Sequence, residues 1–351
     1  MKIINENWIE ALNYDEGCMW AIPCNFPFLF CYDFATNAIV KTSVLPHKYL
    51  HSKRAFSKII RNGENLYLVP NITNELVKYN LSTNRYSSID LSGYILGDKG
   101  AFYGILPTDD SLYITSSING VLRIDFKDDS ISRINNDLIM PNFTYDQNII
   151  TASDAHNNRI VQYNTNFQLA SEYTIGETNE RFFAPIEYGE DVYAMCCIDN
   201  TNMIMKYNKV TGNVERFKLG EYITDYLFCP SYIGSFTNGK EIVFLPSNCG
   251  EDIVAIDILT NAICRKTYAN KEKYAFSTFL NYKSYYCFFE VNDGKLYIVD
   301  KATEQISAKD IALGEEYDRW VRIIKNSDKS YFDETKSVDL AAYIDILELY
   351  H

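Results

Sequence analysis

One unit recurs along this chain and limits what it can fold into: an apolar residue, any residue, a second apolar residue, then Asp or Asn, often with Thr three positions later. It reads Phe30-Cys31-Tyr32-Asp33…Thr36, Val77-Lys78-Tyr79-Asn80…Thr83, Leu122-Arg123-Ile124-Asp125 and Val161-Gln162-Tyr163-Asn164. It continues as Met205-Lys206-Tyr207-Asn208…Thr211, Val254-Ala255-Ile256-Asp257…Thr260 and Tyr297-Ile298-Val299-Asp300…Thr303. Successive anchors lie 47, 45, 39, 44, 49 and 43 residues apart. The alternation predicts a strand with one buried face. The Asp or Asn then accepts backbone hydrogen bonds in a tight turn, with Thr assisting. Asn37, Asn84, Gly212 and Asn261 follow, residue types that tolerate the left-handed backbone such a hairpin needs.

Each anchor is preceded by a further apolar strand, such as Met19–Ile22, Leu66–Val69 or Ile242–Phe244, and that strand by a turn such as Asn62-Gly63-Glu64. Before the turn stands another strand, opened by an aromatic: Trp8, Phe56, Phe102, Phe143, Phe183, Tyr232 or Phe276. Four strands per repeat of this length is the pattern of a propeller blade. The expectation is an all-β, single-domain β-propeller, with repeats near 8–52, 53–98, 99–139, 140–179, 180–228, 229–272 and 273–316. WD dipeptides and the double glycine of kelch repeats are missing. The Tyr-Asp-x-x-Thr turn nevertheless resembles the corresponding turn of kelch-like and related propellers. That resemblance covers one turn per blade and implies the fold alone. Abundant Asn, Ile, Lys and Tyr resemble proteins of AT-rich bacteria.

The ends of the chain raise the count to eight. Trp320–Ile324 reads as an aromatic-led strand and Ser330–Phe332 as another, and Asp345 falls 45 residues after Asp300. The eighth blade spans 317–351 and is closed by residues 1–7, which hides the sheet edges. The alternative is seven blades plus a C-terminal helix over Ser337–Tyr350.

Charge narrows the partners. With 33 Lys+Arg against 46 Asp+Glu, the net charge of −13 repels phosphate backbones, so nucleic acid is not expected as a partner. No apolar run approaches a membrane span, and the N-terminus has no signal-peptide pattern, so neither a membrane nor export is expected. The nine cysteines are odd in number and lack CxxC spacing. They read as reduced thiols of a cytoplasmic protein, with no metal and no cofactor expected.

Function is sought in the loops, because the strand-two-to-three loops and the inter-blade loops share one face. Cations precede the strand-opening aromatics there: Lys53 and Arg54 before Phe56, Lys99 before Phe102, Arg181 before Phe183, Lys273 before Phe276 and Arg319 before Trp320. Convergent, they make a cationic, aromatic-lined mouth for an anionic small molecule. His47, His51 and His156 are the candidate general bases on such loops. Two readings follow. One is a scaffold or binding module that engages a protein or peptide through the loop face, with Phe26, Phe28, Tyr94 and Tyr103 as exposed aromatics. The other is a lyase or hydrolase that acts on an anionic small molecule, sugar or peptide.

Overall fold

The repeat turns form as their residues dictate. The Asp257 carboxylate accepts the backbone N–H groups of Leu259 and Thr260 at 3.0 and 2.7 Å and the Thr260 hydroxyl at 2.8 Å. Asn208 and Asp300 repeat this arrangement with Thr211 and Thr303. Asn37, Asn84, Gly212 and Asn261 all take positive φ, between 55° and 73°. Asp129 does the same in its own turn, and so do Phe167 and Glu304, the last two against their residue types.

The computed structural model describes residues 9–15, 17–24, 26, 28–49, 52, 54–96, 100–116, 118–135, 143–146, 149–154, 159–174, 181–198, 201–219, 232–246, 252–267, 274–281, 284–291 and 294–327. Among these residues the chain forms seven sheets of four antiparallel strands, each a meander in chain order. They are the blades of a β-propeller: 9–44, 56–90, 102–135, 143–174, 181–218, 232–266 and 276–310. Two compact units divide the chain. One comprises 1–91 with 309–351, and the other 92–308. No helix among the described residues is long and apolar enough to cross a membrane.

Strand position sets burial. Second strands such as Asn65–Pro70 and Glu241–Pro246 are buried along nearly their whole length, since neighbouring blades cover both faces. Trp20, Ile22 and Leu29 of blade one pack with Phe56, Leu66 and Tyr79 of blade two. In the larger unit, Tyr193 and Met195 of blade five meet Tyr232 and Phe244 of blade six. The fourth strands, such as Arg85–Asp90 and Val214–Lys218, are mostly exposed and carry the charge. Cys18, Cys31 and Cys264 are free thiols. Burial, and then the adjacent Cys18, push the Cys31 thiol up to about 12, so it packs as a neutral small hydrophobe.

First strands share an irregularity. In every blade except the fourth, the register slips by a bulge near the strand's opening, as between Phe56 and Lys58 or Phe276 and Thr278. A bulge re-aims the extra side chain. In blade three that side chain is Tyr103.

The expected eighth blade is not formed where its first strand was placed. Trp320–Ile324 lies inside an α-helix, Gly314–Ser327. Apolar residues at 317, 320, 321 and 324 fit helical spacing, and Glu315 and Glu316 favour the positive end of the helix dipole. The local Trp-Val-Arg-Ile-Ile run by itself suits either a strand or a helical period. The helix comes earlier than the alternative had placed it, and the segments 1–7, 330–332 and 337–350 lie outside the described residues. Its inner face packs on blade one: Tyr317 meets the rings of Phe28 and Phe30 at 5.4 and 6.0 Å, and Trp320 stacks on Phe28.

Candidate functional site

In the smaller unit the loop ends converge on the stretch before Phe56. The Arg54 N–H donates to the Cys24 carbonyl at 2.7 Å, and the Asn71 N–H to the Ala55 carbonyl at 2.9 Å. Cys24 and Asn71 each follow a second strand, so these bonds tie strand-two-to-three loops to an inter-blade loop. Arg54 is exposed and takes φ 57°, a left-handed conformation uncommon for its type.

His47 opens the short 3₁₀ turn His47–Tyr49 on the same inter-blade loop. Its neighbours are pinned: Lys48 forms an ion pair with Glu75, and the Tyr49 hydroxyl donates to the same carboxylate. Burial works to raise the Glu75 pKa, but donation from Lys48, Tyr49 and Ser88 outweighs it and holds the carboxyl below its usual range. Burial and Glu75 push the Tyr49 hydroxyl well above the usual phenol range. A carboxylate depressed in the folded state stabilises that state above its unfolded pKa, and this contribution disappears as pH falls through the folded value. Glu75→Gln should therefore flatten the loss of thermal stability between pH 6 and pH 3, read by calorimetry. Glu75→Ala should cost about 1–3 kcal/mol at neutral pH, because it leaves the buried Tyr49 hydroxyl without its acceptor.

The other expected site residues are dispersed in character. Phe56 and Phe102 are 2% and 0% exposed, so these strand-opening rings belong to the core and line no surface. Trp320 lies on the helix; its indole N–H is placed to donate to the Thr42 hydroxyl and the Glu316 carboxylate, at 3.0 and 2.9 Å. Arg319, on the same helix, lies 4.0 Å from Glu316 and 6.0 Å from the Trp320 ring. Arg181 and Phe183 lie in the first strand of blade five, Arg181–Tyr188. His51, Lys53, Lys99, His156 and Lys273 lie outside the described residues. Two of the expected surface aromatics are also core: Phe26 is 7% and Phe28 0% exposed. Tyr94 is half-buried, its hydroxyl on the Ile131 carbonyl at 3.2 Å. Tyr103 is exposed as expected.

The larger unit holds a built loop surface at blade three. Asn119, fully buried, follows the second strand (Ser111–Ser116). Its amide donates to the Gly100 carbonyl at 2.6 Å and accepts the Leu96 N–H at 2.6 Å. The Ser116 hydroxyl reaches the same Gly100 carbonyl at 3.3 Å. Arg133 completes the staple: one guanidinium nitrogen donates to the Asn119 carbonyl at 2.8 Å, the other to the Tyr94 carbonyl. Buried polar groups thus fasten the inter-blade loop to the strand-two-to-three loop. Among the described residues of this frame, large apolar side chains stand exposed. Leu96 is 63% exposed and Ile118 is 52% exposed, and Tyr103, at the bulge, stands at the same end of the sheet. Leu96, Ile118, Asn119 and Arg133 were not anticipated. The available signal was an isoleucine inside the otherwise polar Ser116-Ser117-Ile118-Asn119-Gly120.

No protein-family model matches the chain, and no curated protein matches it. Solved structures do resemble it. A streptogramin B lyase superposes with a TM-score of 0.54 at 14% identity, over 89% of this chain and 96% of that one. The virginiamycin B lyase of Staphylococcus aureus gives 0.55 at 14% identity, over 82% and 94%. The N-terminal domain of Nup159 gives 0.55 at 9% identity, over 87% and 92%. Identities this low carry the propeller fold and nothing about activity.

Proposed function

We propose that the protein is a binding module that engages a protein or peptide partner through its loop face, with Leu96, Tyr103 and Ile118 of blade three at the centre of the contact. The observation that supports this reading is the Asn119–Arg133 staple beneath these side chains. Apolar groups fixed in place lose little conformational entropy when a partner covers them, so their burial contributes more fully to affinity. The test is a peptide selection on the immobilised full chain, followed by titration of the winners against wild type and Leu96→Asp/Ile118→Asp. Selected peptides should bind the double variant at least tenfold more weakly while its melting curve stays unchanged. Peptides that bind both proteins equally would remove the patch from the function.

A lyase or hydrolase acting on an anionic small molecule, sugar or peptide has one observation in its favour. Arg54 is held in a left-handed conformation at a junction of loops, and backbone outliers of this kind concentrate at functional sites. In that reading Arg54 holds the anion and His47, on the same loop, is the base. Arg54→Ala should then abolish the thermal shift given by an acidic-sugar library; a library that shifts both proteins equally, or neither, counts against it.

A further inference from the structure

Each tight turn between a third and a fourth strand places one residue at its tip, two positions past the anchoring Asp or Asn. The tip residue is held by its backbone, whose N–H donates to the anchor side chain at 2.9 Å in Lys127, 3.0 Å in Asn166, 3.1 Å in Val210 and 3.0 Å in Leu259. Sister blades therefore act as internal controls. Lys and Asn serve this position in blades three and four, so the fold does not require an apolar tip. Blades five and six nevertheless carry Val210, 72% exposed, and Leu259, 92% exposed.

These tips share one rim of the larger unit. Lys206 of blade five reaches the Asn261 side chain of blade six at 3.4 Å. Tyr188, 36% exposed at the first turn of blade five, donates its hydroxyl to the Gly239 carbonyl of blade six at 3.3 Å. Both bonds join the turn-bearing ends of the two sheets. The Glu304 side chain of blade seven lies against Gly239 as well.

The exposed charge on the rim is mostly negative. Three of its lysines fold back onto the blades: Lys206 pairs with Asp191 at 3.3 Å, Lys209 pairs with Glu187, and Lys301 bonds Asn281 at 2.7 Å. Among the described residues of these turns, Glu190, Asp300 and Glu304 are exposed against one exposed cation, Lys240. Asp257 adds a half-exposed carboxylate, held below its usual pKa by the Thr260 N–H and hydroxyl.

We propose that this rim docks a protein segment whose apolar side chains are flanked by lysine or arginine. Apolar tips gain by leaving water against apolar partners, and the surrounding carboxylates favour basic flanks and reject acidic ones. The rim is distinct from the loop patch of blade three, because strand-two-to-three loops and strand-three-to-four turns lie at opposite ends of a sheet.

Fluorescence anisotropy of the full chain tests this with two labelled twelve-residue probes, one alternating Lys with Leu and Phe, the other with Glu in place of Lys. The basic probe should bind and weaken as salt rises. Affinity should drop at least tenfold with Val210→Asn/Leu259→Asn, which brings in the tip residue of blade four and should leave the melting curve unchanged. Leu96→Asp/Ile118→Asp should leave this binding intact, which separates the rim from the loop-face reading. The proposal is overturned by no binding of the basic probe, equal binding of the acidic one, indifference to the tip variant, or Leu259-dependent binding of phosphatidylserine vesicles. A concentration-dependent dimer lost in the tip variant would assign the rim to a second copy of the chain and overturn it too.

Discussion

Gly234→Ala is expected to destabilise the larger unit by about 1–3 kcal/mol, the usual cost of overpacking a well-filled interior. Gly234 lies in the first strand of blade six (Tyr232–Thr237), just past the bulge that follows Tyr232. A Cβ there would fall within the base of the Phe279 ring, with the Phe279 Cβ itself at 2.9 Å. Phe279 belongs to the first strand of blade seven and stacks on Tyr286 at 5.9 Å. The obstructing atoms are at the root of the side chain, where no rotamer change clears them without disturbing that stack. Thermal denaturation should show the midpoint falling by about 2–4 °C per kcal/mol for a unit of this size. Gly104→Ala should behave alike, since its Cβ would meet Phe143 Cε1 of blade four at 2.6 Å. Gly63→Ala is the informative control. Nothing lies within 4 Å of its Cβ, so any loss there reflects only its φ of 56°. If Gly234→Ala melts with wild type, the close approach of blades six and seven is not a constraint on the fold.

Tyr317→Ala is expected to cost about 3–5 kcal/mol, as for other large buried aromatics. Tyr317 is 1% exposed and touches both Phe28 and Phe30, each fully buried in the third strand of blade one. Removing the ring leaves a cavity over those phenylalanines and weakens the hold of the helix on the blade. The adjoining contacts, Trp320 to Thr42 and the Ala312 N–H to the Tyr32 hydroxyl at 3.0 Å, depend on that hold. Urea denaturation should register the loss, and limited proteolysis should cut within 314–327 sooner. Arg322→Ala, on the exposed side of the same helix, should stay within about 0.5 kcal/mol of wild type. Equal behaviour of the two variants would mean that the helix contributes nothing to blade one.

The sequence was most legible where a feature closes on itself within a few residues. The turn after Asp257 needs an acceptor, a Thr and a left-handed position in five consecutive residues, and all are visible in Asp257–Asn261. Blade spacing follows from repeating that turn. The site was harder to read, because a loop residue such as Arg54 or Ile118 has no period to reveal which way it points. Asn119 shows the difficulty: as part of Asn119-Gly120 it reads as a turn residue, yet it is fully buried and holds two loops together.

By itself, then, the sequence determined the four-stranded repeat and its register along the chain, because strand alternation and turn chemistry are local. Only the tertiary structure decided that Trp320–Ile324 joins a helix, that Phe56 and Phe102 face the core, and that Leu96, Ile118, Val210 and Leu259 face water. Each of those outcomes depends on what lies opposite a side chain in space. For Trp320 that is Phe28, nearly three hundred residues away in the chain but stacked against it in the fold.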